Sequence, residues 1–258
     1  MGEEYDLDAG PDPATVAASG PEPTYDAATN PVYVVGIGPG NPEYLTGRAE
    51  RALAEADVVV GFETVVEFVR EATAADLLTC GYRDERAALD SFAGRVADGD
   101  RGVAVLMGDP NHSGYQFVGK VQGAVSAPVR VIPGISSLQV AASRARTPME
   151  DTEVVTLHRS GAIDADLARL RANVEERHLL VLPRPFDWMP GDIAADLLEA
   201  GADPSLSALV LERLTHDDEA VTRTTLAELA SSAGGDGRED TPFSDLSVLA
   251  VRAPEPTR

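Results

Sequence analysis

The chain has 258 residues, room for one large domain or two of ordinary size. Its 43 acidic residues against 21 basic ones give a net charge of −22, which excludes nucleic acid and anionic membrane as partners because both need clustered Lys and Arg. The acid is spread along the chain and Lys120 is the only lysine, so the excess reads as a solvation device for concentrated salt, in keeping with a halophilic source.

Residues 1–30 are rich in Gly, Pro, Ala, Asp and Glu without an apolar period, and are expected to form a disordered acidic extension. The start, MGEEYDLDAG, has neither the basic n-region nor the apolar core of a signal peptide. No apolar run approaches membrane-spanning length, and the lone Cys80 gives no disulfide framework, so a cytoplasmic location is expected.

From Pro31 onward strand-like and helix-like segments alternate. VYVVGI (32–37) runs into Gly-Pro-Gly, TGRAERALAEA (46–56) has helical spacing with Thr46 as its N-cap, and DVVVGF (57–62) returns as a strand. ALDSFAGRVADG leads to GVAVLMGDP, and VRVIPG leads to SSLQVAASRA. The rhythm continues through EVVTLH, ADLARLRANVEE, HLLVLPRP, GDIAADLLEAG, LSALVLERL, TTLAELASS and LSVLAVR. Continuous Val, Leu and Ile runs joined by amphipathic helices predict an α/β protein with mainly parallel sheets covered by flanking helices on both faces. RTPMED (146–151) marks the expected hinge, giving a first domain over 31–148, a second over 149–252 and a tail over 253–258, with a cleft between the two domains.

Ligands of open parallel sheets bind beyond the carboxyl ends of the strands, so the loops there carry the functional reading. Gly36, Gly38 and Gly40 do not fit the dinucleotide fingerprint, since the third glycine falls one residue early and Asn41-Pro42 delays the helix. A P-loop ending in Gly-Lys-Ser/Thr is absent. GDPNHSG (108–114), PGISS (133–137) and LHRSG (157–161) are the other ligand-like loops. Asp109 sits where a carboxylate meets ribose hydroxyls or an ammonium, or else simply satisfies turn N–H groups. Ser136 and Ser137 are placed to cap the next helix as well as to touch a ligand. GISSL lacks one glycine of a nucleophile elbow, and His112, His158, His178 and His216 have no metal-ligand spacing, so neither a serine hydrolase nor a zinc site is expected.

Together, VYVVGIGPGNPEYLTGRAERALAEADVVVG, MGDPNHSG and VIPGISSLQVAASRARTPMEDTEVVTLHRSG resemble the tetrapyrrole methylase family, the S-adenosylmethionine-dependent enzymes of corrin and sirohaem synthesis. PGISSLQVAASR, the following P-x-E-D, TLH and LERLTHDDEAV look most like the branch that methylates carbon 5 of cobalt-precorrin-7 in anaerobic cobalamin synthesis. The resemblance implies the two-domain class III methyltransferase fold, with S-adenosylmethionine in the cleft between domains. It implies that Gly108, Asp109, Pro110, Gly114, Ser136, Ser137, Leu157 and His158 hold the cofactor. The macrocycle then faces Gly36, Gly38, Pro39 and Gly40.

The resemblance also implies a homodimer, and a separate protein for the later carbon-15 methylation and decarboxylation, since the chain ends at Arg258. Methyl transfer from a sulfonium needs alignment of donor and acceptor and exclusion of water, so no metal and no covalent nucleophile are required and no general base is identified. A polycarboxylated macrocycle needs local positive charge. Arg83, Arg159, Arg184 and Arg213 near strand ends are candidates, Arg159 foremost, with surface ion pairing as the alternative for each. Three other readings stay open: methylation of another precorrin intermediate, diphthine synthase of the same fold, whose first loop usually carries Leu in place of Pro39, and a non-catalytic nucleotide-binding regulatory module.

Overall fold

The computed structural model describes residues 12–22, 24, 30–112, 114–159, 161–234 and 240–254, in two compact units, one up to Ser136 and one from Ser137. The first unit contains α1 (Pro13–Ala17), β1 (Val32–Gly36), α2 (Gly47–Glu55), β2 (Val58–Phe62), α3 (Glu63–Val69), β3 (Asp76–Cys80), α4 (Glu85–Ala97), β4 (Gly102–Leu106), α5 (Tyr115–Ala124) and β5 (Val129–Ile132). Its five strands lie in the order β3-β2-β4-β1-β5, every neighbouring pair parallel.

The unbroken valine runs follow from burial on both faces of this sheet. Val32, Val34, Val58, Val60 and Ala104 pack with Leu89 and Phe92 of α4 and Val118 and Val121 of α5. The alternating residues Val35, Val59, Val103 and Val105 pack with Leu53 of α2 and Val66 and Val69 of α3. As expected, Thr46 caps α2, its hydroxyl accepting from Ala49 N at 3.2 Å.

Of the stretch expected to be a disordered extension, residues 12–22 are described and carry α1, capped by Asp12, lying on α5. Gly119 of α5 is required there, because a Cβ would collide with the Pro13 carbonyl. Glu22 pairs with Arg130 at 2.5 Å. Most of the rest of 1–30, and residues 255–258 of the expected tail, lie outside the described residues.

The second unit contains α6 (Ser137–Ala145), β6 (Thr152–Thr156), α7 (Asp164–Asn173), β7 (His178–Leu182), α8 (Pro190–Glu199), β8 (Ser207–Glu212), β9 (Ala220–Thr225), α9 (Leu226–Ala230) and β10 (Ser247–Val251). α6 packs on β7 and β10 and belongs to this compact unit. Arg252, just past β10, donates to the Arg146 carbonyl at 3.0 Å at the end of α6.

The sheet order is β6-β7-β10-β8-β9. Only β6 and β7 are parallel; β10 runs antiparallel to both β7 and β8, and β9 antiparallel to β8. This corrects the expectation of mainly parallel sheets for the second half. The link from β8 to β9, Arg213 to Glu219, is too short for a crossover helix, so the chain must turn back as a hairpin.

Candidate functional site

In the first unit the loops after β1, β4 and β5 meet at the carboxyl ends of the strands. Gly38 and Gly108 exchange backbone hydrogen bonds, Gly108 N to Gly38 O at 2.7 Å and Gly38 N to Gly108 O at 3.2 Å, as an isolated antiparallel bridge. Only glycine fits the junction beside it. A Cβ on Gly36 would stand 2.5 Å from Gly108 O, 2.7 Å from Gly134 N and 2.7 Å from Pro110 Cδ. A Cβ on Gly134 would collide with Gly108 O and lie 2.6 Å from Gly36 O. Gly38, at φ +84°, adopts a backbone that side-chain-bearing residues rarely take. Gly36 to Gly40, Pro39 included, are all buried.

Ser136 joins the same junction. It is 3% exposed, and its Cα lies 3.9 Å from where a Cβ on Gly108 would stand. Ser137 opens α6 in the second unit. Asp109 takes up the turn role anticipated as its alternative: Oδ1 accepts from Asn111 N at 2.9 Å and from Asn111 Nδ2 at 2.8 Å. Its second carboxylate oxygen has no hydrogen-bond partner among the described residues. His112, one turn further on, has a buried Nδ1 with no hydrogen-bond partner, and sequence reading did not single it out for binding. Gly114, at φ +91°, stands at the N-cap of α5, where a Cβ would touch only the flexible end of Leu106 at 2.5 Å.

In the second unit Leu157, His158 and Arg159 share the loop after β6. Leu157 is fully buried in the core, its N–H donating to the Leu182 carbonyl at 2.8 Å and its carbonyl accepting from Arg159 N at 2.7 Å. His158 presents surface, yet its ring is crowded enough that desolvation holds its pKa below the ordinary value, with Asp245 pulling the other way. Arg159 pairs with Asp166 at 3.4 Å, the ion-pair role weighed against carboxylate binding. Arg184 anchors this loop, donating to the carbonyls of Leu157 at 3.3 Å, Arg159 at 2.9 Å and Gly161 at 2.7 Å, while pairing with Asp187 at 3.0 Å. Arg213 pairs with Asp218 at 2.6 Å, whereas Arg83 is exposed and has no partner among the described residues. Among those residues no group of three metal-ligating side chains forms, and no helix is long and apolar enough to cross a membrane.

In the loop after β4, the second carboxylate oxygen of Asp109 and the buried Nδ1 of His112 have no hydrogen-bond partner among the described residues. Residues 31–230 match the family described as Tetrapyrrole (Corrin/Porphyrin) Methylases. The chain is 32% identical over 226 residues to a probable cobalt-precorrin-7 C(5)-methyltransferase of Methanocaldococcus jannaschii, covering 87% of this chain and 99% of that one. It is 24% identical over 223 residues to the cobalt-precorrin-4 C(11)-methyltransferase of the same organism, covering 81% and 84%. Among solved structures, a uroporphyrin-III C-methyltransferase of Thermus thermophilus complexed with S-adenosyl homocysteine superposes with a TM-score of 0.65 at 26% identity, over 86% of this chain and 92% of that one.

Proposed function

The chain belongs to the tetrapyrrole methylase family, and from that premise we propose that it transfers a methyl group from S-adenosylmethionine to carbon 5 of cobalt-precorrin-7. The observation that carries the choice of step is the end-to-end match to the Methanocaldococcus C(5) enzyme, 32% identical across 99% of its length, against 24% for the C(11) enzyme.

The residues present fit the cofactor. Gly36, Gly108 and Gly134 bring three backbones into contact with the Pro110 ring beside them, while the second oxygen of Asp109 and Nδ1 of His112 remain to be satisfied. Gly108, Asp109, Pro110, Gly114 and Ser136 of the first unit, with Ser137 and the loop of Leu157 and His158 in the second, are the residues we assign to holding it. When bound, S-adenosylmethionine supplies a methyl already activated on a sulfonium. The chain therefore has to fix donor and acceptor in line and keep water out. A backbone-built junction suits that task, because it is rigid and needs no proton inventory.

The test is incubation of the protein in molar potassium chloride with S-adenosylmethionine and cobalt-precorrin-7, following the macrocycle by mass spectrometry. A gain of one methyl, lost in Gly36→Ala, is the expected result. An unchanged macrocycle alongside intact S-adenosylhomocysteine binding would leave the family standing and refute the acceptor.

A further inference from the structure

A second feature at the carboxyl edge of the first sheet is not used by the junction. In the β2–β3 register Phe62 stands opposite Cys80, so Tyr82 lies just beyond the strand ends. Tyr82 is 82% exposed, the most exposed large apolar or aromatic side chain among the described residues. Its ring tilts at 55° against Phe62, centroids 5.0 Å apart, and Phe62 tilts at 52° against the buried Phe117, 5.8 Å away. Phe117 is in the first turn of α5, directly after the Gly108–Gly114 loop. The three rings thus step outward from that loop to the surface.

Charge at this corner runs against the rest of the chain. Arg83 and Arg86 are exposed and unpaired among the described residues, although Asp84 and Glu85 lie between them. Glu85 is buried against Lys120 at 2.5 Å, and Asp84, which accepts from Gly81 N at 2.6 Å, makes no ion pair with either arginine among the described residues. Arg86 also stands in the first turn of α4, where the helix dipole disfavours a cation, so helix stability does not account for it.

Resting on the function proposed above, we propose that this corner receives the rim of the tetrapyrrole, one edge of the macrocycle packing on Tyr82 while peripheral carboxylates pair with Arg83 and Arg86. The spacing suits a flat ligand of that size. From β1, which leads into the Gly-Pro-Gly loop, to β3 is three strand intervals, roughly 14 Å. Aromatic stacking supplies area that tolerates a puckered, asymmetric ring, and guanidinium forks match carboxylates with two parallel hydrogen bonds. In a chain of net charge −22 a pair of cations at this corner lowers the cost of approach for a polyanionic substrate.

The experiment measures binding of uroporphyrin III, an eight-carboxylate tetrapyrrole, by its fluorescence anisotropy, with S-adenosylhomocysteine affinity by calorimetry in parallel. Tyr82→Ala and the double variant Arg83→Ser/Arg86→Ser are expected to bind uroporphyrin at least tenfold more weakly, with Tyr82→Phe within twofold of the parent and S-adenosylhomocysteine affinity unchanged in all three. Parent-like uroporphyrin affinity in Tyr82→Ala and the arginine double variant would overturn the assignment of this corner alone. A parent protein that binds S-adenosylhomocysteine but neither uroporphyrin nor cobalt-precorrin-7 would instead overturn the tetrapyrrole reading, and this inference with it.

Discussion

Gly36→Ala isolates the contact on which the junction depends. Gly36 does not have a positive φ, so alanine suits its backbone conformation and the whole penalty is steric. The new Cβ would have to retreat about 0.5 Å from Gly108 O and about 0.3 Å from Gly134 N and Pro110 Cδ merely to reach 3.0 Å, closer than real Cβ atoms come. The first two neighbours are backbone of different loops and the third is a proline ring, so no single rotamer change relieves the clash. Overpacking of this kind costs about 1–3 kcal/mol. The narrower unfolded ensemble of alanine returns roughly 0.4–1 kcal/mol. At the midpoints the net loss is about 1.3 kcal/mol, a fall in Tm of roughly 3–5 °C for a chain of this size.

Function is expected to suffer more than stability, because relief of the clash moves the Gly108 loop, and sub-ångström misplacement of bound reactants costs up to about a hundredfold in rate. The assays are thermal unfolding, calorimetry with S-adenosylhomocysteine and methyl transfer to the macrocycle. Gly94→Ala is the control: the same substitution in the exposed middle of α4, with nothing within 4 Å of the new Cβ, is expected to stabilise by about 0.5–1 kcal/mol. If Gly36→Ala keeps the parent Tm and cofactor affinity while the control behaves as stated, the three loops are not locked together and the reasoning about the site fails.

Arg184→Ala removes the donor to three carbonyls of the 157–161 loop; a loss of about 1.5–3 kcal/mol is expected, with hydrogen exchange accelerated in that loop. Lys120→Met or Glu85→Gln alone leaves one buried charge and is expected to cost about 3–5 kcal/mol, whereas Lys120→Met/Glu85→Met recovers most of it; a double-mutant cycle in urea checks this. Cys80 is buried, and burial, Glu85 and Asp84 push its thiol up to about 11, so labelling by a disulfide reagent at pH 8 is expected to be roughly a hundredfold slower than for a free cysteine. His178 accepts from Ala253 N at Nδ1, 3.0 Å away, and desolvation and Arg252 lower its pKa from 6.5. The unfolded chain then takes up the proton first, so this contribution is complete above about pH 6.5 and disappears as pH falls through the lowered folded value. The Tm advantage of the parent over His178→Gln should shrink between pH 7.5 and pH 5.

The first sheet was legible because burial on both faces forces unbroken apolar runs, and VYVVG, DVVVGF and GVAVL can be little else. The elements that sequence reading missed are those where that pressure is absent. β3 is an edge strand, partly exposed along DLLTC, and β9 is the polar edge strand AVTRTT. α3, ETVVEFV, carries β-branched residues that favour strands, and α5 has Gly119 in its interior for the sake of α1. Strand direction in the second unit was hidden for another reason. Hydrophobic runs do not record whether a link is long enough to cross over, and there the decision lies in the mere seven residues between β8 and β9.

The site divides along a similar line. Its glycines were legible because close backbone approach permits no substitute, which is why their order along the chain carries more information than any one of them. The arginines were not legible, since in a chain with 43 acidic residues pairing with a nearby carboxylate is the default fate of every guanidinium. The structure separates them by partner: Asp166, which also meets Arg169, takes Arg159 and Asp218 takes Arg213, whereas Glu85 is paired with Lys120 and Asp84 accepts from Gly81 N. The single lysine therefore has a consequence beyond its own ion pair. By holding Glu85 in the interior it keeps that carboxylate from the adjacent Arg86, so Lys120→Met, which frees the carboxylate, is expected to weaken uroporphyrin binding as well as stability, whereas Lys120→Met/Glu85→Met restores both. A parallel loss and recovery of the two properties would tie the buried pair to the exposed cations; recovery of stability with uroporphyrin affinity unmoved throughout would separate them.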